Sequence, residues 1–392
     1  MDAEIRLLLE EEMIESMELS EFAFQYEQTP EERERKRAAR LPSQNWGAFV
    51  QERLAAKLTI LELKTWIQGK VFDMGGIAGV ATWPEYRRGG LVSRLLERAL
   101  ADMRQRGQTV SFLHPFDFGF YRKFGWETYA EYKKYEIPTA LLPKLPPQPG
   151  AVRRIKDDLP LLSGLYEQMA RRYNGTLARS EAWWQHRVLP SKKGTVAVCF
   201  DAAGEPAGYA IYQVKDRTMT VHELVCLHHG ARLQLWRFIA DHDSMIDKVT
   251  LTAPANDPLP FVLSNPRIGQ EIVPYFMARI VDAPAFVAEY PFSTGIECEL
   301  ELTLTDERAP WNAGRFRLKV YEAGAASIEA AAHPVAQIPQ LSCDIQTFTS
   351  MLMSYQRPAL LRDIGRLSAD DNALELLERL IPAAQTYLPD FF

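Results

Sequence analysis

The residues best suited to chemistry lie in two short segments. The first is Arg87-Arg88-Gly89-Gly90. It follows a strand-like run ending at Thr82 and precedes Leu91, Leu95, Leu96 and Leu100, which recur at helical spacing. Pro84 ends the strand, since proline cannot continue a central ladder. Glycines let backbone come close to a ligand, and a helix start offers N–H groups to an anion. Two arginines add charge-assisted donors. Such a loop suits a pyrophosphate, although it is neither G-x-x-x-x-G-K-[ST] nor G-x-G-x-x-G. The second segment is His114–Glu127, HPFDFGFYRKFGWE. A phenol with a pKa of about 10 can protonate a departing thiolate, which makes Tyr121 a candidate acid. On residue type alone, packing is the better reading of Tyr121. His114 is a second possible acid or base, or simply a hydrogen-bonding residue at a strand end. Asp117 reads as a turn residue.

The arrangement P-E-Y-R-x-x-G-x-V over residues 84–92 resembles the coenzyme A loop of the GCN5-related N-acetyltransferases, R/Q-x-x-G-x-G/A. Arg87 and Gly90 match it, whereas Val92 replaces the small last residue.

The elements that must position this loop follow from the pattern along the chain. Residues 3–8 read as a strand, followed by helical segments rich in aromatics at Phe22, Phe24 and Tyr26. Thr29-Pro30-Glu31-Glu32 opens a helix with a capping box. The mixed charges of residues 31–40 suit a solvated helix face. Residues 46–50, 57–64 and 71–82 read as strands, then the loop and its helix, a strand at 109–113, a short helix at 118–124 and a strand at 127–137. This is the element order of an acetyltransferase domain. Residues 139–150 carry four prolines and read as a linker. A second region gives a strand at 153–155, a helix at 159–173, strands at 195–201, 206–214 and 219–226, and a helix at 233–246. Where the first region has its basic loop, the second reads Leu227-His228-His229-Gly230-Ala231-Arg232. It is either a second acetyltransferase-like fold without a coenzyme site, or an unrelated α/β domain of like order. From about residue 283, strands at 295–303, 316–321 and 326–331 precede helices at 345–355, 358–364 and 369–381, the last capped by Ser368 with Asp371. Strands followed by helices suggest an α+β domain.

Composition narrows the class. A chain of 392 residues with 47% hydrophobic and 24% charged residues is ordinary for a globular protein of two or three domains. The net charge of −6 offers no support for nucleic-acid binding. No apolar run is long enough to span a membrane, and the acidic N-terminus is no secretory signal. Cys199, Cys226, Cys298 and Cys343 are far apart, which suits a reduced, cytoplasmic protein. His222, His228 and His229 lack further ligands at suitable spacing, so no metal is expected.

Several separated segments resemble, in order, the Eis (enhanced intracellular survival) family of multidomain N-acetyltransferases. They are PEYRRGGLVSRLL, FYRKFGWE, LWRFIADHDSM at 235–245 followed by DPLP at 257–260, and a chain end in phenylalanine. The resemblance implies an α/β and α+β architecture: two tandem acetyltransferase-like (GNAT) domains, then a sterol-carrier-protein-like domain. The divisions expected are 1–138 with the coenzyme loop, a linker at 139–150, 151–282 without the loop, and 283–392 with its tail entering the active site. It further implies acetyl-CoA as co-substrate, held by Val80, Ala81, Thr82, Arg87, Arg88, Gly89, Gly90, Leu91 and Val92. Tyr121 falls at the family's general-acid position, and the α-carboxylate of Phe392 becomes the base. A terminal carboxylate, with a pKa of about 3.5, is a weak base, so a water relay or burial would have to assist it. The acceptor would be a small amine, aminoglycoside- or polyamine-like, with Glu21, Asp117 and Asp390 as acidic contributors. A homo-oligomer, a hexamer in the family, is also implied. The competing reading is a non-catalytic coenzyme A- or lipid-binding protein.

Overall fold

A computed structural model describes residues 2–38, 43–156, 158–333, 335 and 337–392 of the protein. The chain begins with strand β1 (Glu4–Leu7), helices α1 (Met13–Phe24) and α2 (Pro30–Ala38), and strands β2 (Ser43–Val50), β3 (Arg53–Ile67) and β4 (Lys70–Thr82). Helix α3 (Leu91–Gln105), strand β5 (Val110–Leu113), helix α4 (Phe118–Arg122) and strand β6 (Glu127–Pro138) follow. The Thr29 capping box forms: Thr29 Oγ1 accepts from Glu32 N at 3.2 Å, and Glu32 accepts from Thr29 N at 3.0 Å. Of the charge run, residues 39 and 40 lie outside the described residues. β3 and β4 are longer than their apolar patterns because they form one hairpin, closed at Gln68-Gly69. Both turn residues have positive φ, 49° and 73°, the geometry that matches the strand twist.

Helix α3 explains why β4 and β5 are parallel neighbours, since a parallel pair needs a crossover between them. Its Leu95, Leu96, Ala99, Leu100 and Met103 are fully buried. Each buried leucine contributes roughly 1.5–3 kcal/mol relative to exposure.

Next come β7 (Ala151–Ile155), α5 (Leu159–Ala170), β8 (Tyr173–Asn174), α6 (Glu181–Trp183), a π-helical turn (Trp184–Val188) and α7 (Leu189–Ser191). Strands β9 (Thr195–Phe200), β10 (Pro206–Lys215) and β11 (Thr218–Cys226), helix α8 (His229–Ala240), strand β12 (Lys248–Pro254), helix α9 (Leu259–Val262) and strand β13 (Gly269–Ile280) complete this stretch. Helix α8 starts four residues earlier than its leucine pattern predicts. The reason is His228, whose Nδ1 accepts from Ala231 N at 3.2 Å and caps the helix.

The last region contains α10 (Ala283–Glu289), β14 (Cys298–Thr305), β15 (Gly314–Val320), β16 (Ala326–Ala330), β17 (Gln340–Asp344), α11 (Ile345–Leu352), α12 (Pro358–Asp363), β18 (Ser368–Ala369), α13 (Asp371–Leu380) and β19 (Gln385–Thr386). Its five-stranded sheet runs β16-β15-β14-β17-β18. The cap of α13 is Asp370, not Ser368: the Asp370 carboxylate accepts from Ala373 N at 2.8 Å and from Gln340 N at 2.7 Å. Ser368 instead pairs with Ser342 in β18.

The chain forms two compact units. The first comprises Met1–Tyr129, Phe276–Ala383 and Phe392; the second comprises Ala130–Tyr275 and Ala384–Phe391. Within the first, the strand order is β1-β2-β3-β4-β5-β13, and within the second β6-β12-β11-β10-β9-β7. In the first unit a buried ion pair, Arg279 to Asp306 at 2.5 Å, fastens the region after residue 283 to the earlier strands. Arg279 also donates to the carbonyl of Phe124. Among the described residues no helix is long and apolar enough to cross a membrane.

Candidate active site

β4 and β5 pair over four residues, from Met74↔Val110 to Ile77↔Leu113, and then part. β4 continues to Thr82 beside β3. At the parting it bulges: Thr59 faces Ala78 and Lys57 faces Ala81, so Leu58 opposes both Gly79 and Val80. Gly79 has φ 59°, a conformation that suits glycine. Beyond the split, Val80, Ala81 and Thr82 have no ladder partner on the β5 side among the described residues. The Ala81 side chain is buried, so its backbone is what it can offer a ligand.

The loop follows at once. A 3-10 turn, Pro84–Tyr86, leads into the exposed Arg87 and Arg88. Gly90 is the N-cap of α3 at φ 76°, and no side chain caps the helix there. The first N–H groups, those of Leu91, Val92 and Ser93, therefore have no side-chain cap. A 15-residue helix with a bare N-terminus flanked by two guanidinium groups favours an anion. Leu91 turns its side chain into the core and Val92 packs against it, so these two contribute backbone only. This donor set fits the pyrophosphate of coenzyme A.

Two candidate proton-transfer residues reach the split. Tyr121 is buried on α4 and shares a core with Ile77 and Leu113, the last pair of the ladder. Its ring meets Phe116 and Phe120 edge-on at 5.3 and 5.2 Å. Burial pushes its phenol up, so it stays protonated at neutral pH. Phe392 is 9% exposed, and its ring packs on Gly76, one residue before the ladder ends. A Cβ at Gly76 would lie 2.8 Å from that ring. Phe392 also meets Phe276 at 4.9 Å, and Phe276 meets His114 at 5.5 Å. Burial lowers the His114 pKa. Gly76 and Phe276 went unnoticed in the sequence, where a lone glycine in a strand and a lone phenylalanine carry no signal of a distant partner.

A cleft of about 800 Å³ opens beside the loop, lined by Glu18, Glu21, Phe22, Tyr26, Glu27 and Arg87 among others. Phe22 packs on Trp83 at 4.9 Å. Glu21 lines the cleft, and both its carboxylate oxygens accept from Arg33, at 2.9 and 2.6 Å. On β3, Lys57 is 6% exposed and donates to Ser16 O and Ser20 Oγ at 2.5 Å and to Ser16 Oγ at 2.9 Å. Burial pushes its amine down to about 8.

The other two expected acids do different work. Asp117 caps α4, accepting from Phe120 N at 2.5 Å. Asp390 is 4% exposed in the second unit and is bound by Arg179. A carboxylate buried against its own guanidinium is not available to an acceptor amine.

Comparison with known proteins follows the same lines. Residues 4–129 match an acetyltransferase (GNAT) domain family, residues 175–280 match another acetyltransferase (GNAT) domain family, and residues 283–389 match a sterol carrier protein domain. The fold and these matches define an N-acetyltransferase with two GNAT domains and a sterol-carrier-like domain. The chain is 25% identical to the N-acetyltransferase Eis of Mycobacterium tuberculosis over 364 residues, covering 88% of this chain and 86% of that one. A conserved Enterococcus faecalis protein described as a probable N-acyltransferase superposes with a TM-score of 0.93 over the whole of both chains, at 29% identity. Eis1 of Mycobacterium abscessus shares the fold over the whole of both chains, with a TM-score of 0.81 and 23% identity. Over most of its length the chain is thus similar to Eis N-acetyltransferases.

Proposed function

We propose that this N-acetyltransferase uses acetyl-CoA and acetylates small cationic amines by direct attack in a ternary complex. The observation that carries this reading is the split of β4 from β5, which leads straight into the bare N-terminus of α3. Arg87, Arg88 and the backbone from Gly89 to Val92 hold the pyrophosphate, while Val80–Thr82 face the pantetheine arm. The acidic, aromatic cleft, with Glu18, Phe22 and Glu27, suits a cationic acceptor. The amine nitrogen forms a bond to the thioester carbon and the carbon–sulfur bond breaks. The Phe392 carboxylate accepts the amine proton, directly or through water, and Tyr121 donates a proton to the departing sulfur. Division of the chain at 1–138, 139–150, 151–282 and 283–392, and assembly into a hexamer, belong to the same proposal. Light scattering would test the assembly.

Thiol release from acetyl-CoA with a panel of amines tests the activity. Turnover with a polyamine or an aminoglycoside, lost on removal of Phe392 with coenzyme A binding retained, is the expected result. Binding of coenzyme A with no turnover on any amine would favour a non-catalytic binder. Full activity after deletion of Phe392 or extension of the C-terminus would remove the carboxylate from the mechanism.

A further inference from the structure

The second unit contains the same kind of split. β11 and β12 pair over four residues, from Thr218↔Lys248 to Val221↔Leu251. β11 then continues to Cys226 beside β10, with an irregularity at His222. Just beyond the split lies Glu223, in a buried polar cluster that also contains the chain's own tail. Arg179 donates to Glu223 at 3.0 and 2.6 Å and, through Nε, to both oxygens of Asp390 at 3.0 and 3.1 Å. Trp183 Nε1 donates to Asp390 at 2.9 Å, and the Tyr275 hydroxyl donates to the Asp390 carbonyl at 2.9 Å. Lys192 pairs with Glu223 and donates to the Pro389 carbonyl at 3.0 Å. Upstream, Gln385 and Thr386 pair with Tyr173 and Asn174 as parallel strands. Tyr387 N then donates to Asn174 O at 3.0 Å.

Apolar packing alone could hold this tail. Burying charged groups costs desolvation, so a salt bridge is a poor way to add stability. What a shared, bidentate guanidinium adds is a single register, because both carboxylates must meet one fixed fork. Phe392 follows Asp390 by two residues, so its Cα can lie at most about 7 Å from that of Asp390.

We infer that the second GNAT unit is a tail-holding module, in which Arg179 and Asp390 are positioning residues for Phe392. The inference rests on the reading of the Phe392 carboxylate as the base. The unit that lacks a coenzyme loop thereby gains a role of its own, since its split strand pair borders a binding site for the end of the same chain.

The test uses the full-length protein and two readouts. Carboxypeptidase release of the C-terminal phenylalanine, followed by mass spectrometry, reports on the tail without reference to activity. Asp390→Asn should release it at least about tenfold faster than wild type. Arg217→Ala, which breaks an exposed pair with Asp247 in the same unit, should release it at the wild-type rate. In kinetics, Asp390→Asn should lower kcat at least about tenfold with KM for acetyl-CoA within about twofold. Combined with deletion of Phe392, it should be no slower than the deletion alone. Wild-type release from Asp390→Asn, or a double variant clearly slower than the deletion, overturns the inference. Should Asp390→Asn fail to fold, Tyr275→Phe removes one hydrogen bond to the tail and should speed release about threefold; no change there overturns it as well. If deletion of Phe392 leaves activity intact, the base assignment fails, and the release assay still decides whether Arg179 and Asp390 hold the tail.

Discussion

Both units part a parallel strand pair after four residues, yet they use the parting in opposite ways. In the first, Gly79 bulges the strand, Gly90 leaves α3 bare, and an open acidic cleft lies alongside. In the second, His228 caps α8, and the residues beyond the split form a charge-balanced cluster with Asp390. One strand arrangement therefore lies open to a ligand when its helix end is bare and exposed. With its helix end capped, it serves as internal structure. The buried cations differ in the same sense. Lys57 in the first unit meets hydroxyl and carbonyl oxygens, whereas Arg179 and Lys192 in the second meet carboxylates.

Removing the assigned acid should produce the largest effect. Tyr121→Phe should lower kcat by roughly 100- to 1,000-fold. Coenzyme A affinity, measured by calorimetry, should stay within about twofold. An unchanged kcat would leave the first unit's split without its acid and break the functional contrast.

The buried charges of both units predict stability that rises with pH, but in different windows. The folded-state pKa of Lys57 is depressed to about 8 from 10.5, so the unfolded chain binds more protons between these values. Its burial penalty is full below about pH 8 and is relieved as pH rises towards 10.5. Stability should therefore climb over that window by up to about 3 kcal/mol. Lys57→Met should lack that climb in denaturant melts. For Glu223, burial would raise the carboxyl, but the charges of Arg179 and Lys192 outweigh it and hold the pKa below 4.5. Its contribution is present above pH 4.5 and lost as pH falls below it. Glu223→Gln should flatten that acid limb.

Glycines sharpen the comparison further. Gly76→Ala places a methyl 2.8 Å from the Phe392 ring and should cost about tenfold in kcat, or about 1.4 kcal/mol. Gly164, inside α5 of the second unit, faces open space. Gly164→Ala should raise stability by about 0.5–1 kcal/mol, with kcat unchanged. Equal kinetic effects at the two positions would deny Gly76 its link to the chain end.

The smallest effect is expected at the loops. Arg87→Ala should raise KM for acetyl-CoA several-fold and weaken its salt dependence. Arg232→Ala, in the corresponding segment of the second unit, should leave KM unchanged. A matching rise at Arg232 would mean that the second unit also handles coenzyme A.

Local features were legible where the physics is local. The loop, the Thr29 capping box and the leucine stripe of α3 each lie within one or two helical turns. Their pattern predicts their structure. The start of α8 was misjudged because a histidine cap is a rarer device than a serine or aspartate one. The cap of α13 was misplaced by two residues, since Ser368 and Asp370 both suit the role. Asp390 was misread because a carboxylate near a chain end looks solvent-facing until its partner is known.

The amino-acid sequence by itself determined the basic glycine loop before α3, the resemblance to Eis proteins and the order of the domains, because these rest on neighbouring residues and on motifs. Only the tertiary structure decided that Phe392 packs on Gly76 and that Asp390 serves Arg179, 211 positions away along the chain. Such pairings carry no periodicity. They arise from how strands stack and which buried charges must find each other, and a linear pattern records neither.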